Sequence, residues 1–244
     1  SFYVVSFQQD VDGYTGTVDT MVDQGSPTEN FSTEDELNID NDSPGGSGNS
    51  VQSLLRFDDL FGERVGFIPS TATLHSATLY LEVSNSGSAL SLHRMLADWN
   101  DSDTWTSLDN GLSADDVEVV SASDWLTGSV STGLLEGDGL ASMQAWLSDP
   151  SSNQGWAILP TAGNGVDVDS SEGTIAPRLE VQFTADSNSY PDTSLPPGIT
   201  MIPNSGLITT EAGGSDAFSV VLESEPTANV TIDLNSSNVM EGTV

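Results

Sequence analysis

The chain contains no cysteine and no lysine, and beyond two histidines its basic side chains are four arginines, Arg56, Arg64, Arg94 and Arg178. Without cysteine there is no disulfide framework, no thiolate metal site and no cysteine nucleophile. Without basic clusters nothing can displace counterions from a polyanion, which excludes nucleic acid as a partner and excludes direct contact with an anionic membrane. Long apolar runs are missing as well: none reaches the ~18 residues of a membrane span. The chain opens at Ser1 rather than at Met, which predicts a removed signal peptide or a piece of a longer protein.

What is abundant is carboxylate. Asp and Glu number 37 and set a formal net charge of -33. Self-repulsion on this scale opposes a compact state unless salt screens it or cations bind it, so a saline or calcium-containing exterior is the expected setting, outside the cell or on its surface. Apolar residues amount to 36 % and fall in short runs between Gly, Ser, Thr, Asn and Asp. That is the composition of many short strands joined by many turns.

Period-2 patterning and β-branched or aromatic runs predict strands at residues 1–7 (SFYVVSF), 15–22, 51–58 (VQSLLRFD), 73–83 (TLHSATLYLEV), 89–96, 117–120, 155–159 (GWAIL) and 177–183 (PRLEVQF). Residues 24–50 read as a long polar loop holding one brief strand at Leu37 and Ile39. Helical spacing occurs only in 134–147, through Leu140, Met143 and Trp146 or Leu147. The expected fold is all-β: an antiparallel, jelly-roll-like β-sandwich over 1–185 with one short helix, and Leu55, Phe57, Leu79, Leu81, Trp156, Ile158, Leu179 and Val181 in its core. Three prolines, Pro191, Pro196 and Pro197, make 186–197 a linker. Strand-like segments at 207–210, 217–222 and 230–234 predict part of a second β-sandwich over 198–244, whose apolar Phe218, Val220, Leu222, Val230 and Ile232 need cover from another subunit or domain.

Several motifs in one order carry a family resemblance: SLLRFD at 53–58, Ile68-Pro69, ATLYLEV at 77–83, DWNDSDTW at 98–105, NQGW at 153–156, and Ser171-Glu172 before PRLEV at 177–181. Residues 1–185 resemble the DNRLRE domain, which is grouped with a carbohydrate-binding-module family. The resemblance implies an extracellular β-sandwich, appended to polysaccharide-degrading enzymes or built into long surface proteins, with some relatives binding acidic polysaccharides such as alginate. This chain departs from that pattern in its scarcity of cationic side chains. Residues 206–244 are similar to part of the Calx-beta-like sandwiches repeated in bacterial surface proteins.

No catalytic constellation stands out. His75 and His93 fall within predicted strands, and there is no GxSxG elbow, no HExxH and no glycine-rich loop with lysine. Calcium is the expected cofactor, because it takes six to eight oxygen ligands that Asp, Asn and Glu in turns can supply. The candidate clusters are Asp10 and Asp12; Asp40 and Asp42; Asp98, Asp101 and Asp103; and Asp167, Asp169 and Glu172. Aromatic rings stacked on sugar faces are the usual basis of glycan recognition. Trp146 and Trp156 are assigned to the core, which leaves Trp99, Trp105, Trp125 and Tyr14 as candidate sugar contacts. Arg56, Arg94 and Arg178 lie in strands, where a lone cation in so acidic a chain is expected to pair with a carboxylate.

The sequence therefore points first to a non-catalytic structural or adhesive module of a secreted or cell-surface protein or filament, stabilised by calcium and partnered by other copies of itself or by neighbouring surface domains. The alternative is a polysaccharide-binding module appended to a carbohydrate-active enzyme.

Overall fold

A computed structural model describes residues 2–185, 199–202, 219–222 and 231–232. By contacts the chain divides into two compact units, Ser1–Tyr190 and Pro191–Val244. The first contains β1 (Phe2–Gln8), β2 (Thr17–Asp23), β3 (Glu36–Ile39), β4 (Val51–Phe57), β5 (Thr73–Asn85), β6 (Leu90–Arg94), β7 (Trp125–Leu126), β8 (Gly133–Asp138), α1 (Leu140–Ser148), β9 (Trp156–Pro160), β10 (Val166–Asp169) and β11 (Arg178–Thr184). It is an all-β sandwich of two antiparallel sheets with one α-helix. No described helix is long and apolar enough to cross a membrane.

The long strand β5 organises the first sheet. Along one edge it pairs with β11 and then β10; β1 lies beyond β11, β3 lies beyond β10, and β8 also pairs with β5 over Thr78–Val83. The second sheet runs β2-β4-β9-β6-β7. Alternation along β5 and β11 turns Leu74, Leu79, Leu81, Leu179, Val181 and Phe183 inward, where they meet Leu55, Phe57, Leu92, Trp156 and Ile158 of the second sheet. All eight expected core residues are at most 1 % exposed.

The second sheet is buried on both faces. Its outer face carries Val22, Leu54, Ala157 and Leu159, covered by Met95, Trp99, Trp105, Leu112 and Val119 from the strand end and loops after β6. Accordingly β4 and β9 are buried along nearly their whole length, whereas β5 and β11 alternate. The NQGW motif serves the same architecture. Gly155 has φ +67°, and an added Cβ would stand 2.3 Å from the Leu55 carbonyl oxygen, so only glycine fits. Asn153 donates from Nδ2 to the Phe57 carbonyl at 2.8 Å and accepts from the Gly155 N–H at 3.1 Å.

Three segments differ from the sequence-based expectation. Residues 133–138 are strand, and the helix begins at Leu140. Gly133, Gly137 and Gly139 weaken a helix there, while antiparallel pairing with β5 satisfies the backbone. Residues 117–120 form no strand; Val119 instead makes isolated bridges to Met95 and Ala114. Asp167 and Asp169, candidate calcium ligands expected in a turn with Glu172, lie instead in β10, whose Val166 and Val168 are in the core.

In the second unit, β12 (Ile199–Ile202) and β13 (Ser219–Leu222) pair antiparallel. Val220 is half-buried, and Ile232 is exposed. The linker 186–197, the strand expected at 207–210, Phe218 and Val230 lie outside the described residues.

Candidate functional site beside Trp125

One open groove, of about 370 Å³, lies against the first sheet where β8 turns into α1. It is lined by His75, Ser76 and Thr78 of β5, by Trp125 of β7, and by Glu136, Asp138 and Leu140. Its volume falls at the lower end of the roughly 300–1,000 Å³ of small-ligand sites.

Each wall has a local cause. On β5 a β-bulge makes Gln182 partner Ser76 and Phe183 partner Leu74, leaving His75 as the extra residue. Such bulges re-aim side chains. The His75 ring stacks on Phe2 with centroids 5.8 Å apart, and its Nε2 is 3.1 Å from Thr184 Oγ1. On β8, strand alternation exposes both Glu136 and Asp138. Asp138 Oδ1 accepts the Leu140 N–H at 2.9 Å, and Gly139 N–H donates to the Ala77 carbonyl, which locks the turn from β8 into α1.

Trp125 is held by its surroundings. The Asp124 N–H donates to the Leu92 carbonyl at 2.8 Å and the Thr127 N–H to the Leu90 carbonyl at 3.0 Å, which pins β7 to β6. The Asp124 carboxylate accepts from Trp156 Nε1 at 3.0 Å and from the Ser142 N–H, in the first turn of α1, at 3.3 Å. An anion there also opposes the positive end of the helix dipole. The indole lies directly over the Gly137 backbone, where a Cβ would come 2.6 Å from Trp125 Cε3. Glycine thus makes the seat for the ring.

The other aromatic candidates do not form such a surface. Trp99 and Trp105 are only 5 % and 8 % exposed, too little for stacking on a sugar. Trp99 Nε1 donates to the Gln154 carbonyl at 2.6 Å, and the Arg56 guanidinium lies 4.9 Å from its ring centroid. Tyr14 donates its hydroxyl to the Asp58 carbonyl at 2.7 Å and sets its ring edge-on to Phe7. Burial raises its pKa, and Asp58 and Asp59 add to the rise. All three anchor loops. Two of the strand arginines do find carboxylates, Arg56 at Asp58 (2.7 Å) and Arg178 at Glu180 (2.9 Å).

Among the described residues no three His, Cys, Asp or Glu side chains are grouped to hold a metal ion. Asp10 (φ 61°) and Asp12 (φ 51°) occupy left-handed turn positions that Asp tolerates. Asp40 accepts the Asp42 N–H, and Asp42 accepts those of Gly46 and Gly48, which hold its carboxyl below the usual range. Asp98 accepts from Gln154, Asp103 accepts from Asn100 and Ser107, and the Asp101 carbonyl accepts from Asn30. Asp167 accepts from Asn38 and Asp169 from the Ile175 N–H, and Glu172 adjoins Asp19. These carboxylates accept hydrogen bonds within and between their own loops.

His75, Thr78, Glu136 and Asp138 were not recognisable as site residues from the sequence. The available signal was the glycine spacing at 133, 137 and 139, which argues for strand over helix and then places Glu136 and Asp138 on one face. Compared with family models and with curated proteins, the chain matches none, so its class is given by its fold, an all-β sandwich carrying a groove beside one sheet.

Proposed function

We propose that the first unit is a non-catalytic polysaccharide-binding module of a secreted or cell-surface protein, with the glycan lying in the groove at Trp125. The observation that carries this reading is the fixed indole at an open cavity whose other walls include hydroxyl, imidazole and carboxylate groups beside Leu140. Such a ring offers a sugar's C–H face an apolar, π-rich surface, while the polar walls accept its hydroxyls. No catalytic role is assigned: His93 has both ring nitrogens engaged, with the Val120 carbonyl at 2.9 Å and Ser91 Oγ at 3.0 Å. Calcium stabilisation through at least one of the acidic clusters is proposed as well. The test is calorimetric titration of an oligosaccharide panel against the wild type and Trp125→Ala. Binding weakened about tenfold, the equivalent of 1.4 kcal/mol, with an unchanged melting temperature, supports the reading. Equal binding by both proteins rejects it.

A structural or adhesive role has its own observation. Strand β1 pairs only with β11 among the described residues, and it exposes 59 % of Phe2 and 53 % of Val4. An open apolar edge is a template for another chain. Because Phe7 is buried in the core, association would add a strand at this edge and would not withdraw β1 from its own fold. Light scattering that finds oligomers dispersed by Val4→Lys would favour this role, and a monomer at all concentrations would remove it.

A further inference from the structure

We propose that the groove selects glycans carrying free amines, that is polymers of 2-amino sugars, over neutral and uronic-acid chains; this rests on reading the groove as a glycan site. The lining holds two carboxylates, Glu136 and Asp138, one imidazole and no arginine. Lysine is absent from the whole chain. The nearest arginine in register is Arg178, which partners Tyr80, which in turn partners Glu136. Its charge is already engaged, since it pairs with Glu180 at 2.9 Å and its guanidinium carbon lies 3.8 Å from the Tyr80 ring centroid.

Three properties then act together on an incoming sugar. The negative face of the Trp125 ring attracts an ammonium or a polarised C–H group and repels a carboxylate. Glu136 and Asp138 stand two residues apart on one face of β8, roughly 6.5 Å along the strand, opposite to the face on which Gly137 seats Trp125, so the two carboxylates and the ring border the groove from the two sides of this edge strand. One oxygen of Asp138 is committed to Leu140, which leaves the other, and the exposed Glu136, for the ligand. Finally, the net charge of -33 penalises the approach of a polyuronate and favours that of a polycation.

The experiment titrates the full chain with hexamers of glucosamine, N-acetylglucosamine and mannuronate at mildly acidic pH and low salt. The proteins are wild type, Trp125→Ala, Glu136→Gln and Glu29→Gln, the last removing the same charge from an exposed residue outside the groove. The expected result is that the glucosamine hexamer binds best and that Trp125→Ala weakens its binding about tenfold. Glu136→Gln should weaken it up to roughly fivefold, the scale of one exposed ion pair, while Glu29→Gln has no effect. Equal or tighter binding of the acetylated hexamer, or equal losses in Glu136→Gln and Glu29→Gln, overturns amine selection while leaving a glycan site in place. Absence of binding by any hexamer, or binding indifferent to Trp125→Ala, overturns the glycan reading and the inference with it.

Discussion

A carboxyl group on an edge strand usually reaches water, but Asp19 of β2 is enclosed by the loop after β10, and only 4 % of the residue is exposed. Its Oδ2 accepts the Ser171 N–H at 2.8 Å. Burial pushes its pKa up to about 7; the Ser171 N–H pulls the other way, and the adjoining Glu172 adds to the rise. From the ordinary value of 3.8 up to about 7, the folded chain keeps a proton that the unfolded chain has released. The native state therefore binds more protons, and stability falls as pH rises through this window, levelling off above it. A shift of this size corresponds to at most ~4 kcal/mol, which relaxation and local water reduce. Asp19→Asn keeps an acceptor for Ser171 and gives Glu172 a donor. It is expected to stabilise the protein at pH 8 by about 1–2 kcal/mol and to match the wild type below pH 4, as measured by urea unfolding at both pH values. A variant equally stable or weaker at pH 8 would show that Asp19 is ionised without penalty.

Strand β8 joins the fold to the site, and Gly137 is its critical position. Gly137→Ala would drive a methyl group into the Trp125 ring and force the indole off its seat. Because β8 is an edge strand, the expected stability cost is about 1 kcal/mol, whereas glycan binding should fall as far as in Trp125→Ala; calorimetry beside thermal melting separates the two effects. The long, one-sided strands were legible in the sequence. In β5 and β11 the inward Leu79, Leu81, Leu179 and Val181 alternate with polar residues, and a period of two has no helical counterpart. Strand β8 was not legible, because it runs directly into the helical spacing of Leu140, Met143 and Trp146 or Leu147, and only pairing with β5 separates the two. Two-residue β7 is too short to carry any period, and the acids of β10 obscured its inward Val166 and Val168. For the same reason only Trp125 of the groove could be singled out. Its partners come from residues 75–78 and 136–140, which the chain brings to it only on folding.

Across the whole molecule, 37 carboxylates face four arginines, and the described ion pairs are Arg56–Asp58 and Arg178–Glu180. Added NaCl is expected to raise the melting temperature as the Debye length contracts from about 30 Å at 0.01 M to about 10 Å at 0.1 M. Calcium at matched ionic strength is expected to raise it further, and chelator to reverse the gain; identical midpoints would leave diffuse screening as the whole effect. The pairing of β1 with β11 bears on how the first unit responds to force. Phe2 lies opposite Thr184 and Gln8 opposite Arg178, so the chain enters and leaves the unit at one corner. Tension between those two ends meets the antiparallel rungs one after another, like a zip, instead of loading them in parallel shear. Single-molecule pulling between residues 2 and 184 should peel β1 away at low force before the rest of the sandwich yields, whereas one abrupt high-force rupture would contradict this geometry. In a string of domains under tension, such a unit would extend as a compliant link and not act as a rigid strut.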